Sequence, residues 1–233
     1  KGDCTFTHFK TVSAGAEEHN HDLSCLDYDG DGRLDLVLAV DFQGLQLLKG
    51  AGDGDFAIKP ISATVVSSGY FVTGAEFNGD NFGDVMAIGN DMGPFIATTG
   101  TSLGNGSFKK GLSISEVSCL PGLGDMDSDG NTDIISTSMM NGTLEIRRGN
   151  GDGTFQDPLA FDSGIVNPLQ VLPADLDGDG DMDLLIPSGG QASVLAIHGQ
   201  GAAGLELPPS LTGFGPAKAM AIADINRDGF PDI

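Results

Sequence analysis

Acidic and amide side chains recur at alternate positions in five stretches of the chain. They are Asp27, Asp29, Asp31 and Asp35; Glu76, Asn78, Asp80 and Asp84; Asp125, Asp127, Asp129 and Asp133; Asp175, Asp177, Asp179 and Asp183; and Asp224, Asn226, Asp228 and Asp232. Oxygens at positions 1, 3, 5 and 9 of a nine-residue loop make a ligand set for a hard divalent cation. Ca²⁺ takes about 6 to 8 oxygens at roughly 2.3 to 2.6 Å, and alternate residues of a tightly curled loop converge on one ion. The backbone carbonyl at position 7 completes each set: Arg33, Phe82, Asn131, Asp181 and Phe230. One Ca²⁺ per loop, up to five, is expected.

Position 6 is Gly32, Gly130, Gly180 and Gly229, where a sharp turn excludes a Cβ, and Asn81 in the second loop. Asn tolerates left-handed backbone better than other non-glycine residues, so the second loop is expected to hold an ion with lower affinity. Nineteen of the 33 acidic residues lie in these loops, where they repel one another without a cation. A helix–loop–helix calcium motif is excluded, because it wants Glu at position 12 and an exit helix. Position 12 here is Leu38, Ser136 or Ile186.

The loops must be positioned by a repeat. Their first residues, 27, 76, 125, 175 and 224, step by 49, 49, 50 and 49. A Gly-rich turn ending in an aromatic rides on the same period at Gly50–Phe56, 104–108 and 149–155, with a fourth copy at 199–205 that ends in Leu205. Short apolar runs at 34–40, 44–48, 133–138, 144–147, 184–187 and 193–197, bounded by Gly, Asn and Asp, read as strands. Asn141-Gly142 marks a tight hairpin. Four antiparallel strands per 40–50 residues is the pattern of a β-propeller blade, and a parallel β-helix of nonapeptides repeats far too often to fit. The expected fold is all-β: a propeller of four-stranded antiparallel blades of about 49 residues.

An acidic loop followed by a strand, a hairpin and a Gly-rich turn before Phe resembles the FG-GAP/VCBS repeat. That repeat builds the N-terminal propeller of integrin α subunits and many secreted bacterial and fungal proteins. The resemblance implies calcium in the loops, an extracellular or cell-surface location and recognition through the face opposite the calcium. The chain is read as one propeller, 1–233, with repeats at about 21–62, 70–113, 116–161, 168–211 and 217–233. Residues 5–12 align with the run after Phe155 and read as a spare outer strand. The natural chain is expected to continue, by about 25 residues for five blades or by two repeats for the seven of the resembling family.

A formal charge of −22 disfavours nucleic acid and anionic membranes, and no apolar stretch approaches the roughly 20 residues of a membrane-spanning helix. Cys4 and Cys25 can pair in an oxidising compartment, leaving Cys119 single; buried thiols are the alternative. Strand alternation puts the acidic loops and Gly-rich turns on one face. The other face carries Phe42, Met92, Met139 and Met140, a contact patch or rim packing, and His19-Asn20-His21 beside Glu17 and Glu18, a second metal site or a solvated loop. Asn105 and Asn141 match the glycan-acceptor pattern. No Gly-x-Ser-x-Gly elbow, P-loop or metalloprotease helix motif is present, so a recognition or adhesion module for a protein or glycan is expected rather than an enzyme. The alternatives are an accessory domain of a secreted carbohydrate- or lipid-active enzyme and a subunit of an extracellular fibre. Open blade edges also leave room for self-association.

Overall fold

Apolar-rich runs of five to seven residues between Gly and Asp breakers form the second and third strands of each blade, and each repeat yields one antiparallel meander. A computed structural model describes residues 19–59, 65–90, 94–117, 119–138, 142–189, 193–201, 204–206, 211–212, 219–229 and 231–233. Blade 1 is β1 (Asn20–Leu26), β2 (Asp35–Val40), β3 (Gly44–Gly50) and β4 (Phe56–Lys59). Blade 2 is β5 (Gly69–Ala75), β6 (Asp84–Gly89), β7 (Ile96–Ser102) and β8 (Phe108–Ser115). Blade 3 is β9 (Gly122–Gly124), β10 (Asp133–Thr137), β11 (Thr143–Arg147) and β12 (Leu159–Asp162). Blade 4 is β13 (Leu172–Ala174), β14 (Asp183–Pro187) and β15 (Ser193–Gly199), with β16 (Leu205–Glu206) and β17 (Leu211–Thr212) both pairing with β15. A bridge between Ala223 and Asp232 closes the fifth acidic loop. The described residues contain no α-helix.

The second strand of each blade shows how the blades stack. β6, β10 and β14 are buried along their whole length, and β2 everywhere but Leu36. A strand covered on both faces needs apolar residues without alternation, which is why these runs read as continuous. Three cores lie between successive blades. Val37, Leu47 and Val72 belong to the first, Met86, Ile114 and Ile134 to the second, and Ile135, Leu144, Leu184 and Ile197 to the third. Of the recurring phenylalanines, Phe108 is fully buried, while Phe56 and Phe155 are partly buried against apolar clusters.

The first strands of blades 3 and 4 run side by side, with a parallel bridge between Leu120 and Gln170 just ahead of β9 and β13. In blades 1 and 2, Asp22 and Ser24 of β1 accept from the amides of Val72 and Gly74 in β5 at 3.1 and 2.8 Å. The acidic loops and Gly-rich turns share one face, as strand alternation requires. The position-7 side chains lie over a glycine of each turn, so that a Cβ on Gly52, Gly104, Gly151 or Gly201 would meet Arg33, Phe82, Asn131 or Asp181 within about 3 Å. The opposite face holds the turn at Asp41–Gln43, where Phe42 is 83% exposed and packs into no rim. Residues 5–12, Cys4, Glu17, Glu18, Met92, Met139, Met140, Asn141 and Phe230 lie outside the described residues.

Candidate metal loops

Each acidic loop is wound on its first carboxylate. Asp27 accepts from the amides of Gly30, Asp31 and Gly32 at 2.8, 3.1 and 2.7 Å. Asp125 takes Asp129 and Gly130, Asp175 takes Gly178 and Gly180, and Asp224 takes Arg227, Asp228 and Gly229. Glu76, one methylene longer, reaches only Asn78 and Gly79. The position-5 carboxylates fold back on their own loop: Asp31, Asp80, Asp129 and Asp179 accept from the amides of Arg33, Phe82, Asn131 and Asp181. Position 6 is left-handed throughout, from Asn81 at φ 66° to Gly229 at 92°. Position 4 is left-handed too, at Gly30, Gly79, Ser128, Gly178 and Arg227; a mixed composition there hid the requirement.

The ninth residue has a role that spacing alone does not reveal. Asp35, Asp84, Asp133 and Asp183 are at most 1% exposed. Their Oδ2 accepts from the amide at position 2, Tyr28, Phe77, Met126 and Leu176, at 2.8–3.2 Å. Their Oδ1 accepts from the end of the third strand, Gly50, Ser102, Gly149 and Gly199, at 2.7–2.8 Å. The carboxylate therefore clamps loop to sheet and keeps further lone pairs for an ion. Burial holds Asp35 and Asp133 above the ordinary aspartate range and pushes Asp84 up to about 6, with Glu76 and Asp80 adding repulsion against the two amide donors. Position 2 turns its side chain into the cores: Tyr28, Phe77 and Met126 are at most 5% exposed. An apolar residue at that position in all five copies was the sequence signal.

Three loops bring carboxylate oxygens within 4.8 Å of one another: Asp27, Asp29 and Asp35; Asp125, Asp127 and Asp133; and Asp175, Asp177 and Asp179. Asp31 and Asp129 are not members of the first two of these groups. Asp31 pairs instead with Lys49 at 2.8 Å, which holds its carboxyl below the usual range. Among the described residues, the loops at Glu76, Asn78, Asp80 and Asp84 and at Asp224, Asn226, Asp228 and Asp232 form no such group. In the first two groups Asp29 Oδ1 and Asp127 Oδ1 are buried with no hydrogen-bond partner. A buried, unpaired carboxylate oxygen is costly, and a Ca²⁺ at the centre of the loop supplies what these two lack. The donor chemistry fits a hard cation.

A basic side chain precedes the clamped glycine in three blades, and spacing alone did not single it out. Lys49 binds Asp29, and Arg148 Nε binds Asp127 Oδ2 at 3.2 Å. His198 Nδ1 lies 3.4 Å from Asp183 Oδ1 and 3.6 Å from Asp177 Oδ2. The second blade has Thr101 there, opposite neutral Asn78. The signal was the dipeptides Lys49-Gly50, Arg148-Gly149 and His198-Gly199 in register. On the other face His21 Nε2 meets Asp41 at 3.0 Å and His19 meets the same carboxylate at 3.8 Å, so both rings face one carboxylate. Asn105 accepts from the Ser107 amide at 3.0 Å within its turn.

Four-stranded blades packed face to face, each opened by a wound acidic loop, define a repeat-built β-propeller. A family model described as FG-GAP-like repeat matches residues 27–87, 125–186 and 175–233, and the chain belongs to that family. No curated protein matches it by sequence. Among solved structures it is similar to an Agrocybe aegerita lectin reported for specific recognition of non-reducing terminal N-acetylglucosamine. That match has a TM-score of 0.56 and 19% identity over 80% of this chain and 50% of the lectin. The chain thus spans about half the length of that lectin. It is also similar to part of the Photorhabdus luminescens Tc holotoxin pore, with a TM-score of 0.49 and 18% identity over 96% of this chain and 10% of that one.

Proposed function

We propose that this chain is an extracellular recognition module, a propeller whose acidic loops bind Ca²⁺ for stability and whose opposite face binds a glycan. The observation that carries the calcium is the pair of orphaned oxygens, Asp29 Oδ1 and Asp127 Oδ1, each on a carboxylate that is grouped with two others. Asp27, Asp29, Asp35, Asp125, Asp127 and Asp133 hold the ion in blades 1 and 3, and its chemistry is charge neutralisation. Millimolar external calcium suits loops of this kind.

The glycan reading rests on the lectin neighbour and on two clefts in register. One, of about 250 Å³, lies between blades 1 and 2 and is lined by Ser67, Asn90, Thr98 and Lys110. The other, of about 280 Å³, lies between blades 2 and 3 and is lined by Glu116, Ser138, Glu145 and Arg147. Ser67 and Glu116, like Thr98 and Arg147, are 49 residues apart, so both clefts are one repeat feature with altered lining. They fall at the small end of ligand pockets, which run from about 300 Å³ upward, and their hydroxyl, amide and charged linings suit a single sugar residue. A glycan array probed in millimolar Ca²⁺ tests this. Binding that is lost in Lys110→Ala or Arg147→Ala supports it; binding to no glycan, or binding indifferent to both substitutions, overturns it.

A further inference from the structure

The third-strand residue that faces each acidic loop is not equivalent among the blades. Lys49 and Arg148 are permanently cationic at neutral pH and sit on position-3 carboxylates as ion-pair partners. Neither can donate an electron pair. His198 holds the same place in blade 4, and its neutral imidazole can. Its Nδ1 is 3.4 Å from Asp183 Oδ1 and 3.6 Å from Asp177 Oδ2, and the three atoms form one compact group. Both separations exceed the roughly 2.7–3.2 Å of an N–H···O hydrogen bond. Bonds of about 2.0–2.1 Å to zinc place two tetrahedral ligands about 3.3–3.4 Å apart, which the His198–Asp183 separation meets and the His198–Asp177 separation exceeds by a few tenths of an ångström.

We infer that the fourth loop binds a first-row transition ion, Zn²⁺ in its commonest form, through His198 Nδ1, Asp177 Oδ2 and Asp183 Oδ1, with water as the fourth ligand. Asp183 is 1% exposed and fixed by the amides of Gly199 and Leu176, so one ligand is preorganised by the sheet. His198 is about half exposed and leaves the ion a path from solvent. Imidazole nitrogen favours zinc, copper or nickel over calcium, which takes oxygen alone. Blade 4 thus departs from the calcium chemistry proposed for blades 1 and 3. The inference deepens that reading by naming a different metal for one loop, and it rests on the same loop geometry.

The test uses the full chain in millimolar Ca²⁺, titrated with Zn²⁺ by calorimetry and with Co²⁺ by visible absorption. His198→Lys, which installs the residue of blade 1, and His198→Gln are compared with His21→Ala as control. The expected result is one zinc per chain, with intense tetrahedral cobalt bands. Both His198 variants weaken the affinity at least about tenfold and abolish the bands, while His21→Ala leaves them. No zinc binding, binding equal in the His198 variants, or loss with His21→Ala overturns the inference. A calcium-dependent rise in melting temperature without zinc binding sinks the zinc site and spares the proposed function. Zinc binding with no response to calcium does the reverse.

Discussion

The amide of Gly149 donates to Asp133 Oδ1 at 2.8 Å across 16 residues, and blades 1, 2 and 4 repeat the bond with Asp35, Asp84 and Asp183. The residue that closes the metal-binding pattern is therefore also the residue that fastens the loop to its sheet. These two duties separate experimentally.

Asp133→Ala strands the buried amides of Met126 and Gly149. Each unsatisfied buried donor costs about 1–3 kcal/mol, so the variant is expected to lose roughly 2–5 kcal/mol of stability with or without calcium. Asp127→Ala removes a ligand that receives no amide and is expected to lose far more stability in calcium than in EDTA, where only its pair with Arg148 is lost. Urea titrations of both variants in EDTA and in Ca²⁺ measure the difference.

Calcium removal is expected to lower the melting temperature by many degrees, because ions bound only by folded loops stabilise through linkage. A calorimetric scan in EDTA, then in millimolar Ca²⁺, with Mg²⁺ as control, reads it. Mg²⁺ demands tighter octahedral geometry and is expected to restore little. Equal melting temperatures in all three would refute structural calcium.

Asp84 predicts an unusual pH dependence in the metal-free protein. Burial, the main cause, pushes its carboxyl up from the ordinary aspartate value of 3.8 to about 6 in the folded chain. Its contribution to stability is fully present below the unfolded pKa and is lost as pH rises through 6, by at most about 3 kcal/mol. Asp84→Asn should flatten this slope in urea titrations between pH 4 and 6.5. Added Ca²⁺ favours the carboxylate and should reverse it.

Gly149→Ala puts a methyl group 2.4 Å from the Thr132 carbonyl oxygen, and Gly50→Ala one 2.1 Å from that of Leu34. The third strand must then leave its clamp, and each variant is expected to lose about 2–4 kcal/mol. Gly164→Ala has nothing within 4 Å to meet but sits at φ 61°. It is expected to cost only about 1 kcal/mol, as thermal unfolding will show.

Lys49→Met removes the side chain that competes with a metal for Asp29 and Asp31. Calcium affinity at the first loop is expected to rise several-fold, since a like charge near the ion opposes its binding. Calorimetric titration against wild type reads the change.

The acidic positions, the Gly-rich turns and the four-strand period were legible because each is a local demand on residue type at fixed spacing. Asn81 shows how local: its left-handed φ of 66° follows from its identity. The clamp at Asp133 was not legible, because its donor Gly149 reaches it only after two strands have returned in register. The basic partners were hidden for the same reason. Lys49, Arg148 and His198 look like unrelated surface charges until β3 and β15, and the end of β11, bring them over the loops. Asp31 shows the limit of spacing: its alternation with Asp29 places it in the ligand set, yet its oxygen lies with Lys49 instead.

The blades are also sewn together through these loops. Tyr28 gives its carbonyl to Ser102 Oγ of the next blade at 2.7 Å, Asp27 gives its own to the Gly83 amide at 2.7 Å, and Phe77 gives its own to the Gly153 amide at 2.9 Å. Each stitch runs from one loop to the blade that follows, so the array has a direction. A copied repeat carries an acceptor for its successor and a donor for its predecessor, and tandem duplication in whole units inserts without inventing a new seam. A break inside an acidic loop frees two blades at once. The Asp41–Gln43 turn on the opposite face adds a stitch of its own in the same direction, because the Phe42 amide donates to Ser68 Oγ just ahead of β5 at 3.2 Å.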